Sequence, residues 1–465
     1  MKIVSYLILC TLILTTCTTS FAQNEQEEDA QFIREIYNHA LTDASCYEWL
    51  RGLTKNVGGR LAGSPQAAAA IPYITQILDT LDLDVVRTQA CTVPTWVRGD
   101  KEMVRIVNSN QIGTQELNAT ALGHSVGTGN LGIAAEVIEV HSLDEVDKIG
   151  REAVEGKIVF YNRPMENTQI NTFGAYSGAV DQRGSGASKA AEYGAVGMLV
   201  RSMTTRLDDV PHTGALRYKE GIEKIPALAI STNDAELLSR LLQREVVRVF
   251  MRSTCGPAAP ATNYNIIGEI KGSIYPDEII LVGGHLDSWD LGEGAHDDGA
   301  GVVHSIEVLE LLKKMNYQPK RTIRCVLFAN EESGLAGGKA YWAASNEAKE
   351  YHMAAIESDR GGFTPRGFTF DGEAEIFTEK FQKVYKWLPL LEPYGLSFSK
   401  GYGGADISGL KSQKGLLIGF LPDSQRYFDY HHTAIDTFEA VNKRELELGA
   451  ASMAALVYLL DKYGL

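Results

Sequence analysis

Two neighbouring segments place a histidine close to several carboxylates. His285 and Asp287 lie in the sequence GGHLDSW, and Asp297 and Asp298 follow in AHDDGAG. The apolar run 279–282 before them predicts a strand, and the apolar residues after them recur at helical spacing. Imidazole and carboxylate groups held on a loop at the carboxyl end of a strand suit Zn²⁺ or a similar divalent ion. The pattern therefore indicates a metal site between a strand and a helix.

Three further segments carry side chains of the same types. They are NEESG with Glu331 and Glu332, ESD with Asp359, and YHHTAIDT with His431 and His432. A single His-x-Asp is usually a surface pair, and an Asp-Asp before a helix is usually an N-cap. These ordinary explanations do not account for acidic groups that recur after successive predicted strands. The sequence as a whole therefore predicts a metal centre at one edge of a sheet.

In this order and spacing, GGHLDSWD, AHDDGAG, NEESG, ESD and HHTAIDT resemble the M28 family of co-catalytic zinc aminopeptidases, in particular its carboxypeptidase Q branch. The resemblance extends from about residue 30 to the C terminus and includes GGRLAGS at 58–64. It implies a three-layer αβα zinc-exopeptidase domain with a mixed sheet. It also implies two zinc ions per chain, a homodimer, and hydrolysis of short peptides with a free amino terminus, dipeptides most of all.

The resemblance also assigns roles within the centre. The implied zinc ligands are His285, Asp297, Glu332, Asp359 and His432. Asp297 would bridge both ions, and Glu331 would be the general base that takes a proton from water and returns it to the leaving amine. His432 is favoured over His431 because the family histidine precedes an aspartate by four positions, as His432 precedes Asp436.

Other polar residues near these motifs receive weaker interpretations. Asp287 lies two residues from His285 on an extended segment, so its carboxylate is expected to orient the His285 ring. His296 and His304 are interpreted as ordinary loop and helix histidines. No substrate-binding residue is assigned.

Three residues are candidates for lining the site by their position alone: Asp406, Tyr427 and Tyr430. Roles in loops or in the core explain them equally well. Relatives hold the peptide bond after the bridging aspartate in the cis form, so the resemblance implies a cis bond between Asp297 and Asp298.

Three other functions fit the same motifs. An aminopeptidase for longer peptides is the nearest. The others are a single-zinc acyltransferase that resembles glutaminyl cyclases and a receptor that keeps this fold without catalysis. A metal count and a peptide screen distinguish them.

The composition restricts the partners. The chain has 465 residues, with 44 basic and 59 acidic side chains and a net charge of −15, which argues against nucleic-acid binding. Its 44% hydrophobic content favours a well-packed core.

The N terminus has the features of an export signal. Lys2 precedes the apolar run 3–14, and Ser20-Phe21-Ala22 offers a cleavage site before Gln23, which predicts a signal peptide at 1–22. The mature protein is then periplasmic or secreted. Lipid attachment at Cys17 is the less favoured alternative, because Thr16 is bulkier than that processing usually accepts. No later segment is long and apolar enough to span a membrane.

The chain shows signs of an insertion. Residues 23–110 and 256–465 are predicted to form a split catalytic domain, with 111–255 as an insert that resembles a protease-associated domain. The Pro- and Gly-containing segment 255–261 is interpreted as the linker. Helices are expected over 30–53 and from Ser64-Pro65 to about residue 81.

Four cysteines remain after the signal peptide: Cys46, Cys91, Cys255 and Cys325. Their even number permits a disulfide, and none of their spacings is typical of a zinc site. Cys325 lies in an apolar strand and is expected to be a buried free thiol.

Overall fold

The structure is a computed structural model that describes residues 25–465. The predicted signal peptide and Cys17 lie outside the described residues. Within residues 25–465 no helix combines the length and the hydrophobicity that a membrane crossing requires.

Thirteen helices occur in the described chain. They are α1 (residues 25–42), α2 (Cys46–Gly52), α3 (Pro65–Asp79), α4 (Leu143–Val154), α5 (Thr172–Ser177), α6 (Val180–Glu192), α7 (Thr232–Leu242), α8 (Ala300–Lys314), α9 (Ala336–Glu347), α10 (Ala374–Tyr385), α11 (Leu388–Leu391), α12 (Tyr427–Tyr430) and α13 (Lys443–Tyr463). Short π-helical or 3₁₀ segments cover Leu53–Val57, Ala295–Gly299, Glu392–Tyr394, Ser408–Gln413 and Phe438–Ala440.

Sixteen strands form two sheets in the same part of the chain. They are β1 (Val85–Val97), β2 (Met103–Ser109), β3 (Gly113–Leu117), β4 (Ala119–Ala121), β5 (Ile133–Val140), β6 (Ile158–Tyr161), β7 (Gly197–Arg201), β8 (Ala227–Ile230), β9 (Arg248–Arg252), β10 (Gly256–Ile270), β11 (Tyr275–His285), β12 (Arg321–Phe328), β13 (Tyr351–Glu357), β14 (Pro365–Asp371), β15 (Ser397–Lys400) and β16 (Leu416–Pro422).

The first sheet has the strand order β1-β10-β12-β11-β13-β16-β14-β15. Its central strands β12, β11, β13 and β16 are parallel, whereas β1, β10 and β14 introduce antiparallel pairs. The sheet is therefore mixed, as predicted. Because the central strands run the same way, their carboxyl ends meet at one edge of the sheet.

Helices cover both faces of this sheet. Ile280 and Val282 of β11 belong to the apolar cluster that includes residues of α1, α2, α3, α8 and α13. Leu281 between them points to the opposite face and joins a cluster with Tyr341 of α9. This alternation buries a parallel strand on both sides. The predicted three-layer αβα arrangement is confirmed for this sheet.

The second sheet has the order β3-β2-β9-β5-β6-β7-β8-β4 and is also mixed. It is built from the segment between β1 and β10, two strands that pair with each other in the first sheet. The segment is therefore an insertion that leaves and re-enters at neighbouring strands. Its first strand, β2, begins at Met103, so the predicted boundary at residue 110 lies inside the β2–β3 hairpin, later in the chain than the start of the second sheet.

The predicted linker 255–261 is wrong as a description of the local structure. Gly256–Ala261 forms the first part of β10, and Pro257 pairs with Trp96 of β1. The neighbouring strand β12 pairs only with the later part of β10, from Ile266 to Ile270. Prolines are tolerated in the first part because one side of its ladder is free of a strand partner.

The structure also tests the predicted N-terminal helices and the state of the cysteines. The Ser64 side chain accepts a hydrogen bond from the amide of Ala67 and caps α3, as predicted. The helix expected over 30–53 is divided into α1 and α2. The four cysteines after the predicted signal peptide are all free and buried, so Cys325 is a buried thiol as predicted.

Candidate metal centre

The parallel strands bring the predicted ligands to one edge of the first sheet. His285 is the last residue of β11 and pairs with Phe328, the last residue of β12. Glu331 and Glu332 lie in the turn that follows β12, and Asp359 lies just beyond the end of β13. Residues distant in sequence therefore meet because neighbouring strands end together.

The first group of ligand atoms surrounds the His285 ring. Nε2 of His285 lies 3.3 Å from Oδ1 of Asp297 and 3.5 Å from Oδ1 of Asp359. Nδ1 of the same ring is 2.9 Å from the main-chain carbonyl oxygen of Asp287, to which it can donate a hydrogen bond. A proton on Nδ1 leaves the lone pair of Nε2 facing the two carboxylates, the tautomer that a metal ligand needs.

The second group surrounds the His432 ring. Nε2 of His432 lies 3.3 Å from Oδ2 of Asp297 and 3.1 Å from Oε2 of Glu332. Nε2 of His431 is 3.8 Å from the same Asp297 oxygen, and the two histidine rings are stacked with centroids 3.5 Å apart. Both histidines thus approach Asp297. The geometry favours His432 as the ligand, because its Nε2 faces two carboxylates.

Asp297 is the residue that the two groups share, with one carboxylate oxygen turned towards each. Its backbone is held by Asp436, whose two carboxylate oxygens accept hydrogen bonds from the amides of His296 (2.7 Å) and Asp297 (3.2 Å). The peptide bond between Asp297 and Asp298 is cis, which confirms that prediction.

Asp298 fixes the strand end against the start of α8. Its Oδ2 accepts a hydrogen bond from the His285 amide (2.9 Å), and its Oδ1 accepts one from the Gly301 amide (3.0 Å). A Cβ atom on Gly301 would lie 1.8 Å from the carbonyl oxygen of Ser358, so only glycine permits this close approach. Asp298 therefore accepts an amide hydrogen bond from the first turn of α8, whereas Asp297 faces the ligand groups.

The buried carboxylates of the centre favour a bound cation. Oδ2 of Asp297 and Oε1 of Glu332 are buried without a hydrogen-bond partner in the described part of the chain. Burial lowers the pKa of His432, but Glu332 and Asp297 outweigh it and raise the pKa to about 9. Buried carboxylates facing imidazole nitrogens form a donor set that fits zinc. The residues present therefore fit the predicted metal.

Asp287 contacts its neighbours differently from the prediction. Oδ1 of its carboxylate is 3.8 Å from Nδ1 of His285, and the main-chain carbonyl makes the close contact with the ring. The carboxylate instead accepts a hydrogen bond from the amide of Glu331 at 3.0 Å. The carboxylate therefore holds the turn of the predicted general base, and the main-chain carbonyl is the Asp287 group that contacts the ring.

Glu331 lies in an environment that favours a bound proton. Burial raises its pKa well above the usual value; His285 opposes this rise, and the carboxylates of Asp359 and Glu332 add to it. Such a carboxyl group is suited to accept a proton and to give it back.

Comparison with known proteins identifies the family. The model of peptidase family M28 matches residues 265–457, which contain all the predicted ligands. Carboxypeptidase Q of Bos taurus is 36% identical over 421 residues, 89% of this chain and 84% of that protein. Carboxypeptidase Q of Homo sapiens is 35% identical over 418 residues, with the same coverage of 89% and 84%. The chain belongs to peptidase family M28. It is a metallopeptidase, as predicted.

Solved structures extend the comparison to the whole fold. The crystal structure of a peptidase M28 precursor from Shewanella amazonensis SB2B superimposes with a TM-score of 0.87 and 33% identity, covering 94% of this chain and 97% of that one. A zinc aminopeptidase from Bacillus subtilis has a TM-score of 0.62 and 20% identity, covering 89% and 94%. The second likeness shows a shared fold.

A cleft of about 770 Å³ opens over the centre of this M28 peptidase. Glu331, Glu332 and Asp359 line one wall, and residues of the inserted segment, among them Tyr176 and Arg183, line the other. The insert also contacts the turn that carries Glu331 and Glu332, since Nε2 of His124 is 3.0 Å from the Ser333 hydroxyl. The insert and the first sheet therefore enclose the site together.

The three candidate lining residues have different positions in this peptidase. Tyr427 lines the cleft. Tyr430 does not line it; its ring lies 5.2 Å from that of His296. Asp406 is fully buried and outside the cleft lining, and its main-chain oxygen accepts a hydrogen bond from the Trp342 indole. Of the two explanations that the sequence left open for Asp406, its burial favours a role in the core.

His296 and His304 are structural residues, as predicted. The His296 ring stacks on Phe363 with centroids 4.1 Å apart, and its Nδ1 accepts a hydrogen bond from the Gly362 amide. His304 is buried in α8, with Nδ1 3.1 Å from the Ser358 hydroxyl. Neither ring faces the ligand groups.

Sequence reasoning missed two residues beside the centre. The indole Nε1 of Trp289 donates a hydrogen bond to Oε2 of Glu332, and Arg183 lines the opposite wall of the cleft. Trp289 belongs to the GGHLDSW segment, so its place in the motif was a signal. Arg183 carries no signal in its neighbourhood, because tertiary packing alone brings α6 to the site.

Proposed function

We propose that this M28 peptidase is a dizinc exopeptidase that hydrolyses short peptides with a free amino terminus, dipeptides most of all. The observation that carries the proposal is the shared carboxylate of Asp297. One of its oxygens lies 3.3 Å from Nε2 of His285, and the other lies 3.3 Å from Nε2 of His432. A carboxylate between two such groups is the arrangement that two adjacent cations need to offset their repulsion.

The ligands divide between the two sites by their contacts. His285 and Asp359 would hold one ion, and Glu332 and His432 would hold the other, with Asp297 common to both. When bound, zinc makes water more acidic and polarises a carbonyl group.

The protein's own groups supply the proton transfers. Glu331 accepts a proton from the attacking water and delivers it to the nitrogen of the leaving amine. The hydrogen bond from its amide to the Asp287 carboxylate holds it at the cleft. The Asp287 carbonyl keeps the proton of His285 on Nδ1, away from the ligand face.

The cleft supports a short substrate with a positive end. The side chain of Asp359 is 25% exposed and lines the cleft, so a carboxylate is within reach of a free ammonium group. Residues of the insert also line this cleft. The relatives named carboxypeptidase Q and the Bacillus protein named zinc aminopeptidase support an exopeptidase acting at a chain end.

The alternative functions receive less support from the described residues. A single-zinc acyltransferase needs only one ligand group, whereas two groups are assembled here around Asp297. A receptor without catalysis needs no general base, whereas Glu331 lines the cleft. An aminopeptidase for longer peptides remains the second candidate, because the cleft is open to solvent at its rim.

Metal analysis combined with a peptide screen tests the proposal. Purified protein is expected to contain about two zinc ions per chain and to cleave a free dipeptide much faster than the same peptide acetylated at its amino end. Comparison with a pentapeptide of the same first residues separates a dipeptidase from an aminopeptidase. One zinc per chain, or equal rates on the free and acetylated peptides, would overturn the proposal.

We also propose export, a homodimer, and a protease-associated character for the insert. N-terminal sequencing of protein recovered outside the cytoplasm is expected to begin at Gln23. A lipid-modified Cys17 at the N terminus would contradict simple cleavage.

Light scattering on purified protein measures the mass in solution, and a monomer's mass would refute the dimer.

A further inference from the structure

The main chain of His431 and His432 is bound by two adjacent residues of the insert. The amide of Thr213 donates a hydrogen bond to the carbonyl oxygen of His432 at 3.0 Å. Nδ1 of His212 lies 2.9 Å from the carbonyl oxygen of His431, and because a carbonyl oxygen only accepts, the ring is the donor. Both insert residues are buried. The insert therefore holds the backbone that carries a predicted zinc ligand.

His432 adopts a backbone conformation that needs such support. Its φ is +62°, in the left-handed region that residues other than glycine seldom occupy. The carbonyl groups of His431 and His432 belong to the peptide planes before and after this residue, and the orientation of the two planes sets its φ and ψ. In this conformation Nε2 of His432 faces the carboxylates of Asp297 and Glu332. The hydrogen bonds from the insert therefore fix the dihedral angles that direct the ring towards its partners.

The two insert residues are themselves anchored on the second sheet. The hydroxyl of Ser202 accepts a hydrogen bond from the His212 amide at 2.9 Å and donates one to the carbonyl oxygen of Ile230 in β8 at 2.7 Å. The Thr213 hydroxyl donates to the carbonyl oxygen of Ala121 in β4 at 2.8 Å. The position of the second sheet is thereby transmitted to the metal centre through main-chain and hydroxyl groups.

Glu332, the other terminal ligand beside His432, is also held by a group that packs on the insert. Its Oε2 accepts the hydrogen bond from the Trp289 indole. The Trp289 ring belongs to the apolar cluster formed mainly by strands of the second sheet, and it lies directly against Gly123. Both terminal ligands of one proposed ion therefore depend on contacts with the insert.

The ligands of the other proposed ion are held by the first sheet. The His285 ring is oriented by the main-chain carbonyl of Asp287. The residue before Asp359 is Ser358, whose amide donates a hydrogen bond to the carbonyl oxygen of Gly283 in β11 at 2.9 Å. The two ions would thus occupy unequal sites, one built on the catalytic sheet and one at its junction with the insert.

We infer that the insert is a positioning element for one of the two metal sites, so that zinc binding at Glu332 and His432 is coupled to docking of the insert through His212 and Thr213. This inference rests on the proposed dizinc function and adds what the insert contributes to it. The coupling acts in both directions, because two linked equilibria stabilise each other by the same factor.

Variants of His212 test the coupling through zinc affinity. His212→Leu removes the donor to His431, whereas His212→Asn keeps a side-chain N–H close to the position of Nδ1. Competition with a chromogenic chelator is expected to show that His212→Leu weakens one of the two ions by about 10- to 100-fold and leaves the other unchanged. His212→Asn should restore the affinity towards the wild-type value. Circular dichroism shows whether each variant is folded.

Two further variants assign the effect. His432→Ala removes the ligand itself, so the double variant with His212→Leu should bind its remaining ion as tightly as His432→Ala alone does. Tyr218→Phe is the matched control, because the Tyr218 hydroxyl donates to the carbonyl oxygen of Ile225 inside the insert and does not contact the histidine pair. Both zinc affinities should be unchanged in this control.

Hydrogen exchange tests the reverse direction without altering the insert. Zinc should slow exchange in a peptide covering residues 202–214 by about 10-fold or more, because the Thr213 amide is bonded to His432. In His432→Ala, zinc should give this peptide no added protection. A peptide from the β8 strand serves as the reference within the same molecule.

The outcomes separate the two proposals. If the wild type binds only one zinc ion, the dizinc function fails and the inference fails with it. If two ions bind but His212→Leu weakens both equally or neither, only the role of the insert is wrong. The same loss in Tyr218→Phe would also overturn that role, because general loosening of the insert would then explain it. If His212→Leu does not fold, equal exchange of the 202–214 peptide with and without zinc in the wild type would refute the coupling.

Discussion

The indole Nε1 of Trp289 donates a hydrogen bond to Oε2 of Glu332 at 2.5 Å. The same oxygen lies 3.1 Å from Nε2 of His432, so the indole holds a predicted zinc ligand in its place. Trp289 is 4% exposed and packs in the apolar cluster of the second sheet. A Cβ atom on Gly123 of the insert would lie 1.9 Å from the indole. The insert therefore packs closely against the side chain that holds this predicted ligand.

Replacing Trp289 by Phe should weaken zinc binding. The ring is largely retained, but Glu332 loses the donor that orients it. Loss of such an outer hydrogen bond typically costs 10- to 100-fold in metal affinity or activity, and a decrease in this range is expected. Competition with a chromogenic chelator measures the affinity. Trp96→Phe is the matched control, because Trp96 packs in the same cluster and donates its indole proton to the carbonyl of Ser125 instead. Equal losses in both variants would attribute the effect to packing.

Replacing Glu331 by Gln should separate catalysis from metal binding. Glutamine has the same size as glutamate, and the backbone amide of residue 331 still binds Asp287. The glutamine side chain, however, cannot accept the proton. A decrease in kcat of about 10²- to 10⁴-fold is expected, with zinc content unchanged. Mass spectrometry for metal and a dipeptide assay are made on the same sample. A variant that loses its zinc, or that turns over at a near-normal rate, would show that the roles of Glu331 and Glu332 are wrongly assigned.

Replacing Asp297 by Ala should release zinc from both sites. One carboxylate faces both histidine groups, so neither site is complete without it. Metal analysis after gel filtration is expected to give well under one ion per chain. Asp290→Ala provides the control, because Asp290 follows His285 on the same loop but binds Arg98. Retention of two ions by the Asp297 variant would contradict the bridging role.

The sequence predicted the ligand-bearing edge well because a local pattern determined each part of it. The apolar runs before His285, Glu331 and Asp359 predicted three strands, and all three are present with their ends together. Parallel neighbours then follow from the alternation of strands and helices. The resemblance supplied the choice of His432, and the contacts of its Nε2 with Asp297 and Glu332 agree with that choice.

The sequence predicted the surroundings of the centre less well because they depend on long-range packing. Asp287 was expected to use its carboxylate on the ring, but a turn of the backbone brought its carbonyl there instead. The Pro-containing start of β10 was mistaken for a linker, because a strand with one partner tolerates residues that a central strand excludes. Arg183 lies on a helix of the insert, and nothing in the neighbouring sequence indicates what the helix faces.

Acid should destabilise this protein partly through His352, a buried residue of β13 in the first sheet. Tyr341 donates a hydrogen bond to its Nε2 at 2.7 Å, and its Nδ1 is 2.9 Å from Oε1 of Gln413, so both nitrogens are occupied in the neutral form. Burial lowers the pKa of His352 to about 4. The pKa of a histidine in the unfolded chain is about 6.5. Between these two pKa values, the unfolded chain therefore binds a proton that the folded chain does not bind. Stability from this residue is complete above about pH 6.5 and is lost as the pH falls towards 4, by about 1.4 kcal/mol per pH unit.

The variant His352→Asn tests this prediction because it keeps a donor towards Gln413 but cannot be protonated. Urea unfolding of the metal-free protein is measured at pH 6.5 and at pH 5 for the wild type and the variant. The wild type should lose about 2 kcal/mol more unfolding free energy over this interval than the variant does. The fixed cost of the substitution cancels, since each protein is compared with itself. The same loss in both proteins would show that His352 becomes protonated without cost and that other groups govern the acid sensitivity.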